Sequence, residues 1–178
     1  MSIRRSKVQL TVLQEPMPAG TKLIIPTISV PPVPGRASKP GKVVKIKQHR
    51  ELARIIISVG VRLRGTPYRL GAGPYPRSRA FDCSSFVRYV FGRCGIALPR
   101  SSRQQAAMGR FVRQSAVQPG DLVFFRRDGC SGNGIGHAGV DIGKGYMLHT
   151  YASPAGVTIT RWRSPYWLRR YVTARRIL

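Results

Sequence analysis

Asp82-Cys83-Ser84-Ser85 runs straight into Phe86-Val87-Arg88-Tyr89-Val90-Phe91, and this stretch constrains the chain more than any other. Phe86, Val87, Val90, Phe91 and Cys94 recur at helical spacing and form one apolar face. Asp82 and the serines suit an N-terminal cap. Cys83 therefore falls at the first turn of a buried helix, where unpaired N–H groups and the helix dipole favour negative charge. A thiol placed there is expected to lose its proton more easily, and the thiolate is the nucleophilic form. A small core cysteine behind a cap would read the same way, so the rest of the chain has to supply a base.

The base comes from a hairpin. With Gly143 as its centre, Gly139 faces Met147 and His137 faces His149. The strand period of two then puts both histidines on one face, with Cβ atoms about 4.5–5.5 Å apart. One imidazole can take the thiol proton while the other fixes the first ring's tautomer and orientation. A thiol at a helix N-terminus facing a strand imidazole is an arrangement for acyl transfer. Cys83, His137 and His149 are the candidate catalytic residues. A Cys/His metal site would need a closely spaced ligand pair, which is lacking, so no metal site is expected.

The order of elements suggests α+β. Glu51 to Leu63 carries a helical stripe of Leu52, Ile55, Ile56, Val59 and Leu63. After the cysteine helix, Ser101 with Gln104, or Ser102 with Gln105, can form a capping box for a further helix. Leu122 to Phe125, His137 to Asp141, Gly145 to His149, Val157 to Thr160 and Tyr171 to Ile177 read as strands, with a turn at Ile142-Gly143-Lys144. Helices first and strands later point to helices packed on an antiparallel sheet.

Residues 1–46 read differently. Val8 to Leu13 and Leu23 to Val30 could be short strands, but Pro31, Pro32 and Pro34 precede a basic run from Arg36 to Lys47. This is a basic, Pro-rich arm or linker, and 47–178 is the domain. The net charge is +25, with 31 Lys and Arg against six acidic residues. Such a field attracts polyanions: nucleic acid, anionic lipid or the anionic polymers of a bacterial wall. Neither a helix-turn-helix nor a zinc-finger signature accompanies the charge, so nucleic acid is not expected to be the main partner. No apolar run approaches the roughly 20 residues of a spanning helix, so no membrane span is expected. Gln9, Gln14, Glu15 and Pro16 interrupt the segment after the charged start, which argues against a standard signal peptide. The compartment is therefore left open. A phage particle or another export route would have to deliver the protein to a wall. Cys94 reads as a core residue, and Cys130, in a glycine-rich loop, is given no role.

From Ile55 to Ile177 the chain resembles the NlpC/P60 family of papain-like cysteine peptidases. The blocks that carry the resemblance are Gly65-Thr66-Pro67-Tyr68, Phe81-Asp82-Cys83-Ser84, Gly95 to Ser102, Gln105, Pro119-Gly120-Asp121-Leu122-Val123-Phe124-Phe125, His137-Ala138-Gly139-Val140, Ile142-Gly143 and His149. The resemblance implies Cys83 as nucleophile, His137 as general base and His149 as the group that orients it. It implies Tyr68 beside the oxyanion, and Asp82 and Ser84 along the substrate groove. It further implies a monomer that needs no metal or cofactor. The implied substrate is a peptidoglycan stem peptide, cut between the side-chain carboxyl of D-glutamate and diaminopimelate or lysine. Ser85 stands where the family usually has glycine, and Leu70-Gly71-Ala72-Gly73 replaces Trp-Gly-Gly. Altered specificity is expected from these departures, not loss of activity. The rival readings are an amidase or acyltransferase on the same Cys/His apparatus, and a basic cell-wall or nucleic-acid binding module with a vestigial site.

Overall fold

A computed structural model describes residues 42–126, 134–152 and 156–178. The two expected strands of the arm, its Pro-rich segment and Cys130 lie outside the described residues. The described part belongs to one compact unit, Lys39–Leu178. Helix α1 spans Lys42–Arg62, α2 Cys83–Gly92, and the short helices α3 and α4 span Ser102–Gln105 and Pro165–Leu168. The strands are β1 Arg110–Val112, β2 Leu122–Arg126, β3 Ile135–Gly143, β4 Tyr146–Tyr151, β5 Gly156–Arg161 and β6 Tyr171–Arg176. They form one six-stranded sheet in the order β1-β6-β2-β3-β4-β5, with every pairing antiparallel. The expected α+β architecture of helices on an antiparallel sheet is what the chain adopts. Helix α1 starts at Lys42, inside the stretch read as arm. Among the described residues no helix is long and apolar enough to cross a membrane.

The strand period of two gives the sheet two different faces. Leu122, Phe124, Ala138, Val140 and Leu148 turn toward the helices and pack with Ile56, Phe86, Val87, Val90 and Phe91. Val123, Phe125, Met147 and Ala174 turn the other way, against Trp162 and Trp167. Each large apolar side chain fully buried in this way contributes on the order of 1.5–3 kcal/mol. Helix α1 comes close to the sheet because position 60 is glycine. A Cβ there would stand 2.4 Å from Leu148 Cδ2 and 3.2 Å from Phe86 Cζ. Asp121 ties β6 to β2. Its carboxylate, fully buried, accepts from Arg176 Nε and Nη2 at 2.6 Å each and from the Gln118 N–H at 2.8 Å. The Pro-Gly-Asp block of the resemblance thus holds the last strand to β2.

The β3–β4 hairpin departs from the expected register. Its turn is Lys144-Gly145, both with positive φ (54° and 78°), as a two-residue hairpin loop on a twisted ladder requires. Gly143 pairs with Tyr146, Asp141 with Met147 and Val140 with Leu148, so Ile142 is an extra residue, a β-bulge. A Cβ at Gly139 would stand 3.3 Å from His149 Cβ, which makes Gly139, not His137, the residue across from His149. His137 and His149 are diagonal neighbours. The true pairing differs from the expected one by two residues, an even shift, so both histidines still share a face.

Replacing Gly60 with valine should test the α1 contact. The branched side chain would collide with Leu148, and overpacking of this kind costs about 1–3 kcal/mol. Urea unfolding followed by circular dichroism should show a lower midpoint with an unchanged slope.

Candidate active site

Helix α2 begins at Cys83 because Asp82 caps it. The Asp82 carboxylate accepts from the Ser85 N–H at 2.8 Å, and Ser85 Oγ accepts from the Asp82 N–H at 2.9 Å, a reciprocal capping box. Ser85 is therefore a capping residue, and it lines a neighbouring groove rather than the cleft around Cys83. Asp82 is held further by Arg100, whose Nη2 lies 2.5 Å from Oδ2, and by the Gly71 N–H at 3.1 Å. Ser84 Oγ donates to Asp82 at 3.2 Å and accepts from Arg100 Nη1 at 3.0 Å. Burial alone would raise the Asp82 carboxyl, but Arg100 and the Ser85 N–H outweigh it and hold it below the ordinary carboxylate value. Asp82 and Ser84 line the cleft, and both are also tied into the helix cap and the Arg100 contact.

Residue 68 reaches the cleft through a parallel bridge between Tyr68 and Phe81, flanked by Arg69 N–H to Phe81 O at 2.9 Å and Phe81 N–H to Pro67 O at 3.0 Å. This lays the Tyr68 segment against the residues that lead into α2. Helix α3 follows Ser101, which forms the capping box with Gln104. Its last residue, Gln105, is fully buried and donates to Ser84 O and Pro99 O at 2.9 Å each.

The thiol meets β3 where the strand lacks a β4 partner. The β3–β4 ladder ends at the Val140–Leu148 pair. Below it, Cys83 Sγ lies 3.9 Å from Gly136 O and takes the Ala138 N–H, so the backbone on either side of His137 faces the thiol. A second bulge sits at the same place: Phe125 pairs with His137 and Arg126 with Ile135, which leaves Gly136 unpaired on the β2 side. Cys83 and His137 line one cleft of about 480 Å³ with Tyr68, Asp82 and Ser84.

Behind His137 runs a line of hydrogen bonds. His137 Nε2 is 2.9 Å from His149 Nδ1, and His149 Nε2 is 2.8 Å from Thr160 Oγ1. When His149 gives its Nε2 proton to Thr160, its Nδ1 accepts from His137 Nε2–H. His137 Nδ1 is then left with a lone pair, as a base requires. Thr160, on β5, is a part of the site that the sequence reading missed. The hairpin register could not reveal it, because it arises from the β4–β5 pairing.

The histidine pair is packed, not open. His149 is 1% exposed and His137 6%. The His137 ring lies 5.2 Å from Trp167 and 5.4 Å from Tyr151, centroid to centroid. Trp167 comes from the short helix α4 and was also missed, since four residues leave no periodicity to read. The burial decides the electrostatics. It drives the His137 imidazolium well below the ordinary histidine range, with His149 adding to the effect, and lowers His149 to about 4. Burial also pushes the Cys83 thiol up, against the Ala138, Ser84 and Cys83 N–H groups that favour the thiolate. The expectation of an easily ionised thiol is reversed, because desolvation exceeds the helix-terminus effect. Thiol and imidazole both rest neutral. Among the described residues no group of three or more His, Cys, Asp or Glu is arranged to hold a metal ion.

A capped, cleft-lining cysteine against a strand imidazole with a second imidazole behind it defines a thiol–imidazole class of α+β domain. The chain belongs to the NlpC/P60 family, which residues 65–176 match. It is 38% identical over 126 residues to the gamma-DL-glutamyl hydrolase of Bacillus subtilis, a match over 70% of this chain and 30% of that protein. It is 40% identical over 116 residues to the murein DD-endopeptidase MepS/murein LD-carboxypeptidase of Escherichia coli, covering 65% of this chain and 57% of that one. The chain thus spans about a third to just over half of these relatives. Among solved structures, an NlpC/P60 family protein from Bacillus cereus matches with a TM-score of 0.63 at 32% identity, over 71% of this chain and 40% of that one. The peptidoglycan hydrolase RipB of Mycobacterium tuberculosis matches with a TM-score of 0.61 at 26% identity, over 80% and 73%.

The lowered histidines carry a linkage consequence. Above about pH 6.5 they are neutral in both the folded and the unfolded chain. As pH falls from 6.5 toward 4, the unfolded chain binds protons that the folded one excludes, so stability falls. His149 alone should remove roughly 2–3 kcal/mol by pH 4.5. Urea titrations at pH 7 and pH 4.5 should show His149→Gln losing less stability over that interval than the wild type.

Proposed function

We propose that the protein is a cysteine peptidase of peptidoglycan stem peptides, cutting between the side-chain carboxyl of D-glutamate and diaminopimelate or lysine through a thioester on Cys83. The observation that carries this reading is the hydrogen-bonded line from His137 through His149 to Thr160, set behind a thiol at a helix N-terminus.

Because both partners rest neutral, the proton moves as the bond forms. Cys83 Sγ attacks the amide carbonyl carbon and His137 takes the thiol proton. The C–N bond then breaks, His137 gives that proton to the leaving amine, and the acyl group stays on sulfur as a thioester. Water attacks the thioester with His137 as base, the Cys83 sulfur leaves and is reprotonated, and a free carboxyl product departs. The oxyanion is held by the Cys83 N–H at the start of α2, with Tyr68 in the same cleft. His149 and Thr160 act as positioning residues that hold the His137 tautomer. The net charge of +25 favours residence on anionic wall polymers, with the arm of residues 1–46 as one contributor and nucleic acid a lesser partner.

Mass spectrometry of purified muropeptides tests the reading. The expected products are one fragment ending in the free D-glutamate side-chain carboxyl and one beginning with a free diaminopimelate or lysine amine. Cleavage between two D-residues of cross-linked peptides would instead assign the DD-endopeptidase activity named in the MepS relative. Cys83→Ala should abolish turnover, and His137→Ala should lower kcat/KM by at least about 10²–10⁴-fold. His149→Gln should retain more activity than His149→Ala, since it can still hydrogen-bond. Because both rings are buried, thermal melts must accompany the kinetics. Near-normal activity in a folded His137→Ala protein would remove His137 as the base.

A further inference from the structure

The cleft has two banks. One is the start of α2 with Asp82, Ser84 and Arg100, and there the charges match: Asp82 and Arg100 neutralise each other. The other is the sheet side, where Arg126 and Trp167 stand beside His137. Among the described residues, Arg126 has no carboxylate partner there. Arg126, half-buried at the end of β2, donates from Nη2 to Arg169 O at 2.6 Å, a neutral carbonyl. Its backbone N–H donates to Arg170 O at 2.8 Å, which anchors it to the turn after α4. Asp82 is the one carboxylate among the described residues lining the cleft, and Arg100 takes it. A guanidinium fixed by one nitrogen keeps further N–H donors in a planar fork that fits a carboxylate.

The two banks have different chemical roles if the cleft hydrolyses an amide through Cys83, and the inference rests on that reading. The acyl half stays on sulfur, held from the α2 side by the Cys83 N–H. The amine leaves toward the group that protonates it, His137. The bank beyond His137 therefore receives the residue that carries the leaving amine. We infer that Arg126 is a specificity-determining residue that binds a free carboxylate on that residue, so that a diamino acid bearing a second carboxylate is preferred over one that lacks it or carries it as an amide. Diaminopimelate meets the condition. Lysine and amidated diaminopimelate do not. The same requirement holds whichever amine of the diamino acid departs. The discrimination follows because an analogue without the carboxylate cannot give the Arg126 fork its bidentate partner.

Three synthetic stem peptides test this, identical except at the third residue, which is meso-diaminopimelate, its side-chain carboxamide or lysine, each followed by D-alanine. The wild type should show kcat/KM at least about 10-fold higher for the free carboxylate than for the other two. Arg126→Gln should bring the three within about 2-fold of one another, and Arg126→Lys should keep an intermediate preference. A purely structural role for Arg126 would lower all three rates together and leave their ratios intact. Equal rates in the wild type, or an unchanged ratio in Arg126→Gln, would overturn the inference. If none of the peptides is cleaved, the peptidase reading fails instead. Calorimetric binding of the three peptides to Cys83→Ala protein then decides: a carboxylate preference that Arg126→Gln abolishes upholds the inference, and equal or absent binding overturns it.

Discussion

The Asp82 carboxylate organises the half of the domain that contains the thiol. It is nearly buried, and its two oxygens accept from the Ser85 N–H, Ser84 Oγ, the Gly71 N–H and Arg100. The first of these contacts starts α2 and so places Cys83 at an N-terminus. The third ties down the loop after Tyr68. The fourth brings in Arg100, whose Nη2 also donates to Ala72 O at 2.9 Å. A buried carboxylate without such partners would protonate or pull water into the core. Here one charge is satisfied only when loop, helix and Arg100 are all in position, so the cleft wall forms as a unit.

The same logic of burial governs the acid–base pair. Helix termini are usually credited with ionising a cysteine, yet desolvation at this site exceeds that effect and leaves Cys83 as a thiol. Packing by Trp167 and Tyr151 keeps His137 neutral over the range in which exposed histidines charge. Under the proposed mechanism the pair exchanges a proton rather than holding separated charges, and the substrate creates the charge that the N–H groups stabilise.

Helix α2 and its cap were legible from the apolar stripe of Phe86, Val87, Val90 and Phe91, and β2 was legible as a continuous apolar run, Leu122 to Phe125. The capping box of α3 was legible down to the choice between Ser101 and Ser102. The hairpin was legible only in part. A turn centred on Gly143 is wrong, since the loop is Lys144-Gly145, and the bulge at Ile142 was not foreseen. Turn and bulge together shift the pairing by two, and a shift by two leaves each side chain on its face. Thr160, Trp167, Gly136 and Arg126 left no trace in the sequence pattern. Each is placed by tertiary pairing, Thr160 behind His149 and the others along the cleft: β4 with β5, a four-residue helix against the sheet, and a bulge between β2 and β3. Ser85, one of the serines expected in the cap, is half of the capping box.

The Ile142 bulge has a consequence for how this hairpin can change over generations. The Lys144-Gly145 loop alone, on an unbroken ladder, would set His149 on the helix side of the sheet, back to back with His137. The extra residue restores the match by changing the parity of the ladder. Loss of Ile142 with the two-residue loop kept would turn one ring away from the other, whereas a three-residue loop without the bulge would keep both on one face. The bulge and the two-residue loop are therefore bound together: one can change only if the other does.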